Sequence, residues 1–197
     1  MRRVRSRFLV FAGFAILVAI RPARALVQSV PRQPATAAQP SEDGYRANNR
    51  GVALLEQYRF DAALAELQKA VALLPRYAQA RINLAIAQLY APDLAAARRS
   101  AEQAASLDPR SPQPPYLLGL IARADGRADD AIRELERVRA ENPRFVAGRL
   151  QLGLGYYAAG RREEAATEWR AVLASAPGNR SARMYLSLVE PAAPSEK

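Results

Sequence analysis

Between residues 44 and 190, apolar side chains return every three or four positions, and this helical pattern breaks at regular intervals. Gly51-Val52-Ala53-Leu54-Leu55 continues one stripe from Tyr45 to about Gln57. A second stripe runs from about Phe60 to Leu74, with Ala63, Leu64, Leu67, Ala70, Val71 and Leu74 on one face. The two stripes predict a helical hairpin. Asp61, Asp93, Asp129-Asp130 and Glu163-Glu164 stand in first turns of second helices, where free backbone N–H groups and the helix dipole favour a carboxylate. Pro75, Pro109, Pro143 and Pro177 mark the ends of those helices. Proline has no N–H to donate and pushes the preceding residue out of helix.

Those prolines are 34 residues apart, and so are Ala63, Ala97, Ala131 and Ala165. Gly51, Ala85, Gly119 and Gly153 form a third register. Three registers in phase define four helix pairs, 44–77, 78–111, 112–145 and 146–179, followed by a solvating helix at about 179–190. The small residues have a packing reason, because antiparallel helices cross closely only where side chains are small. Gly51 is expected to meet Ala63 within its unit, and Ala70 to meet the next unit. Gly126 and Gly160 fall at inter-helix turns. Tyr58 and Pro92 stand there in the first two units, which predicts less standard turns.

With these registers the chain resembles the tetratricopeptide repeat family over residues 44–177. The small, alanine and proline registers match in all four units. Ala70, Ala104, Val138 and Val172 fill a further small register. Ala47, Arg81, Pro115 and Arg149 stand where the family has an early tryptophan, and Trp169 where it often has phenylalanine or tyrosine. The resemblance implies an all-α, right-handed superhelical solenoid of four tandem helix-turn-helix repeats plus a C-terminal capping helix. It also implies a non-enzymatic protein–protein interaction scaffold. Periplasmic members of the family include assembly factors for pili, outer-membrane complexes and cytochromes, and nothing in the sequence selects among them.

The resemblance places the first helices on a concave face. The candidate partner-binding groove is Tyr45, Asn48, Gln79, Ile82, Gln113, Tyr116, Arg123, Leu150 and Tyr157, spaced to share that face, with Tyr90 bordering it and Asn83 added by the resemblance. Arg123 is its only formal charge. Two readings stand: a tyrosine-bearing groove for a peptide or helix, or side chains that pack first helix on first helix. Ile86, Leu120 and Leu154 lean to core and the tyrosines to contact. Tyr116, near the middle of the array, is the expected central anchor. A variant of the family clamps a C-terminal carboxylate with lysine and asparagine. Here only Asn83 matches, so an anionic peptide terminus is not the expected ligand.

The chain has no histidine and no cysteine. That removes imidazole acid–base chemistry, a Ser-His-Asp relay, thiolate nucleophiles and the common metal ligands. The acidic pairs read as helix-start residues, and Arg98-Arg99 and Arg161-Arg162 as solvated faces. There is no Gly-rich phosphate loop. The sequence therefore predicts no enzyme, cofactor or metal.

The net charge of +10 first suggests nucleic acid or membrane. Residues 1–25 hold six arginines and no acid, so the rest carries only +4. No nucleic-acid partner is expected. Arg2-Arg3-Val4-Arg5-Ser6-Arg7, an uncharged run from Phe8 to Ile20 and Ala23-Arg24-Ala25 form, in order, the parts of a secretory signal peptide. Cleavage after Ala25 predicts a periplasmic or secreted protein, and an uncleaved segment an inner-membrane anchor facing the periplasm. Residues 26–43, with Pro31, Pro34 and Pro40, read as a flexible linker, and 191–197 as a polar tail.

Overall fold

The computed structural model describes residues 39–190, which form nine helices and no strand. These are α1 (Gln39–Glu56), α2 (Phe60–Leu73), α3 (Ala78–Tyr90), α4 (Leu94–Leu107), α5 (Gln113–Ala124), α6 (Ala128–Glu141), α7 (Val146–Ala158), α8 (Arg162–Ser175) and α9 (Arg180–Leu186). The expected signal peptide, most of the linker and the tail lie outside the described residues.

Each second helix stops ahead of its repeating proline. The caps are Leu74, Asp108, Asn142 and Ala176, with φ between −127° and −141°. Each cap still donates its N–H to the further small register, at Ala70, Ala104, Val138 or Val172. Three of the four second helices have a side chain engaged at their start. Asp93 caps α4 with its own side chain, accepting from the Ala96 N–H at 3.0 Å. Arg127 and Arg161 take that place in α6 and α8 and pair with acids in the first turn, Asp130 at 2.6 Å and Glu164.

Two boundaries differ from expectation. α1 begins at Gln39, inside the predicted linker. Pro40 falls in its first turn, where no N–H is needed, and Glu42 pairs one turn on with Arg46. α9 is short: beyond Leu186 the backbone tightens into bonds three residues long, Leu188 to Tyr185 and Val189 to Leu186.

The two helices of a unit cross at the small register. A Cβ on Gly51 would stand 2.5 Å from Leu67 Cγ, and one on Gly119 2.7 Å from Leu135 Cγ. On Gly153 it would run into the indole of Trp169. The nearest neighbour of the glycine is Leu67, which the sequence did not single out, and this large side chain fills the space left by the missing Cβ. The same period pairs Ala85 with Ala101, both fully buried. Ala70 does reach the next unit, packing with Ala80. Glu168, 3 % exposed, accepts from Arg139 of α6 at 2.7 Å and Arg149 of α7 at 2.6 Å, tying three helices together.

Consecutive first helices also touch: α1 with α3, α3 with α5, α5 with α7 and α7 with α9. Second helices pack chiefly on the first helices of their own and the following unit. The layer whose members approach one another lies inside the curve, so the first helices form the concave face.

Candidate functional site

The structure divides the candidate groove in two. Asn48, Ile82, Asn83 and Tyr116 are 0 %, 2 %, 0 % and 1 % exposed. They lie in the seams between first helices, and are corrected here from partner contact to core. Asn83 Nδ2 donates to Asn48 Oδ1 at 2.9 Å, and Gln79 Nε2 donates to Asn83 Oδ1 at 3.1 Å. The Tyr116 ring packs edge-on against Phe145, with centroids 5.2 Å apart. Tyr116 is therefore a seam residue, and truncating it would damage the fold before it touched a partner.

Tyr45, Gln79, Tyr90, Gln113, Arg123, Leu150 and Tyr157 keep part of their surface open, as do Val52, Leu89, Leu120 and Leu154. Each open tyrosine is backed by a second ring. Tyr45 meets Tyr77 edge-on at 5.2 Å, Tyr90 stacks on Phe60 at 4.8 Å, and Tyr157 leans on Trp169 at 6.2 Å. A ring held in this way loses little freedom when a partner covers it.

The site is electrostatically quiet apart from one cation. Burial, with Tyr58 nearby, pushes the Tyr90 phenol up to about 12. Burial also raises Tyr116 and Tyr185, and in both the charge of Arg123 opposes the rise. Burial lowers Arg123 itself, but a guanidinium stays charged in proteins. Its Nε is sealed from water with no acceptor.

Two residues were not among the candidate site residues, although the less standard turn expected at Tyr58 is present. Tyr58 sits at φ +60° in the register where Gly126 and Gly160 adopt +75° and +77°. It is 77 % exposed, edge-on to Phe60, and lines an open cleft of 540 Å³ with Phe60, Tyr90 and Pro92. The signal was an aromatic residue in a register otherwise suited to glycine. Tyr185 of α9 is buried against Trp169. Continuing the 34-residue period one step beyond Gln151 would have found it. Among the described residues, no cluster of acids could hold a metal, and no helix is long and apolar enough to cross a membrane.

Stacked helical hairpins with an inner layer of first helices define a solenoid interaction scaffold. Two family models described as tetratricopeptide repeat match residues 48–112 and 122–188, together about two thirds of the chain. The chain belongs to the tetratricopeptide repeat family, whose members act as protein–protein interaction scaffolds. Among solved structures it is similar to MamA, at 25 % identity and a TM-score of 0.61, covering 69 % of this chain and 79 % of that one. It is similar in fold to TTC0263, a thermophilic TPR protein of Thermus thermophilus, at 24 % identity and a TM-score of 0.66, covering 74 % and 80 %. YrrB, described as a TPR protein with an unusual peptide-binding site, has 22 % identity and a TM-score of 0.59, covering 75 % and 76 %. No curated protein matches the sequence.

Proposed function

We propose that this protein is a non-enzymatic scaffold that holds a peptide or helical segment of a partner protein along its concave face. The observation that carries the reading is the half-open apolar stripe of Val52, Leu89, Leu120, Leu150 and Leu154, flanked by tyrosines already fixed by a second ring. Rigid aromatic anchors beside an apolar floor suit a segment that offers apolar side chains at helical spacing. The peptide-binding site of the similarly folded YrrB supports the same use of this architecture.

A photo-crosslinking residue in place of Leu120 tests it, in the full chain made in its own organism. The expected result is a covalent adduct with one partner at Leu120 and none with the same probe at Arg99, which is exposed on α4. An adduct at Arg99 alone would move the working surface to the second helices.

The N-terminal pattern of arginines, uncharged run and Ala23-Arg24-Ala25 supports an exported protein that meets its partner outside the cytoplasm. N-terminal sequencing of the osmotic-shock fraction is expected to begin at Leu26. An intact Met1 in washed membranes would favour the anchored form, and with it a role as a periplasmic assembly factor.

A further inference from the structure

Arg123 lies in the last turn of α5, where the helix dipole favours a cation. An exposed side chain would satisfy that preference. Arg123 is instead half-buried, and its Nε is closed to water with no acceptor. Desolvating a guanidinium without an acceptor is costly.

Every other half-buried arginine among the described residues is partnered. The Nε of Arg81 is sealed without an acceptor as well, but its terminal nitrogens donate to the Pro75 carbonyl and Gln103. Arg127 holds Asp125 and Asp130, while Arg139 and Arg149 share Glu168. The groups whose fields meet Arg123 are the phenols of Tyr116 on its own helix and Tyr185 on α9. Neither is an anion at neutral pH. Asp125, two residues on, is engaged by Arg127 at 2.8 Å. Arg123 thus carries a positive charge with one N–H sealed from water, and no acid is among the groups whose fields reach it.

We infer that the partner segment carries an Asp or Glu side chain, set among apolar residues, that docks on the guanidinium of Arg123. This rests on the groove reading above. A carboxylate matches the guanidinium fork with two parallel hydrogen bonds and cancels the charge that the fold leaves open. The anion comes from within the segment rather than from a chain end. Arg123 belongs to the third of four units, and the floor continues on both sides, through Leu89 and Tyr90 before it and Leu154 and Tyr157 after it. A terminus at Arg123 would leave one side empty.

Selection of a random phage-displayed peptide library on the full-length protein tests this. Wild type is expected to enrich apolar peptides with a single Asp or Glu. Arg123→Gln should enrich apolar peptides without the acid, and Arg123→Glu should exchange it for Lys or Arg. A comparison that needs no variant protein uses one selected peptide in synthetic form. Changing its Glu to Gln should weaken binding to wild type at least about tenfold. Acid-free apolar peptides from wild type, or an acid retained on folded Arg123→Gln, would overturn the inference and leave the groove standing. Failure of wild type to enrich any apolar peptide would overturn the groove itself.

Discussion

Asn83 of α3 donates its side-chain amide to Asn48 of α1 at 2.9 Å, with both residues closed to solvent. Buried polar groups are costly only when a partner is missing. Asn83→Ala should therefore cost about 1–3 kcal/mol by stranding Asn48 Oδ1. Changing both asparagines to leucine should cost less than the sum of the two single changes, because neither asparagine is left stranded and the half-open Gln79 can turn to water. Urea midpoints for wild type, Asn83→Ala, the two single leucine variants and the double variant decide it. Additive losses would mean that the two amides do not act as a pair.

The crossing of α5 and α6 gives a second coupled pair. A Cβ at residue 119 would lie 2.7 Å from Leu135 Cγ, so Gly119→Ala should lower stability by about 1–3 kcal/mol through overpacking. Leu135→Ala alone opens a cavity and should cost about 2–5 kcal/mol. The double variant reproduces the Ala85–Ala101 pairing of the second unit and should be clearly better than additive. Arg162→Ala, on an exposed position, should stay within about 0.5 kcal/mol of wild type. Denaturant midpoints provide the check, and equal values for all variants would refute the crossing register.

Tyr58 occupies the left-handed region at φ +60°, where a side chain costs about 1–2 kcal/mol that glycine avoids. Its exposed ring recovers little of that through the edge contact with Phe60. Tyr58→Gly should therefore raise stability by up to about 1 kcal/mol, whereas Tyr58→Val should lower it. A fall in melting temperature for the glycine variant would show that the ring contact outweighs the backbone strain.

Five phenols, at Tyr77, Tyr90, Tyr116, Tyr156 and Tyr185, are raised by burial above their usual value of 10. In the unfolded chain they ionise first, so the unfolded state then binds fewer protons than the folded state. The stability they contribute is complete below pH 10 and is lost as pH rises towards the folded value, about 12 for Tyr90 and Tyr156. Stability should stay level to about pH 10 with respect to these groups and fall steeply above it. Unfolding midpoints at a series of alkaline pH values, with phenolate absorbance recorded in parallel, test this. Ionisation of all eight tyrosines near pH 10 while the protein is still folded would contradict it.

The helices and their ends were legible because they depend on local chemistry. The prolines at 75, 109, 143 and 177 act on the residue before them, and the caps fall at Leu74, Asp108, Asn142 and Ala176. Depth was harder to read. Helical spacing assigned Asn48, Ile82 and Tyr116 to the right face of their helices, and the family resemblance added Asn83. Whether that face opens on water or on the next first helix depends on how closely the units stack. The polarity of two asparagines also hid their burial, which the mutual hydrogen bond makes tolerable. Gly51 was matched to Ala63 on the idea that small residues meet small ones. That idea did not foresee Leu67, which the fold sets into the gap because a missing Cβ leaves room for a large neighbour.

That fitting of large into small also bears on heredity. Four near-copies of one hairpin suggest parts that genetic exchange could shuffle freely. Yet α3 carries Ala85 where α7 carries Gly153 to accommodate Trp169. A crossover inside a unit that joined α3 to α8 would drive a methyl group into an indole ring. One that fell between units, after residue 77 or 111, would leave every such match intact. The hairpins built on Ala85 and on Gly153 with Trp169 are therefore exchanged safely only as whole units.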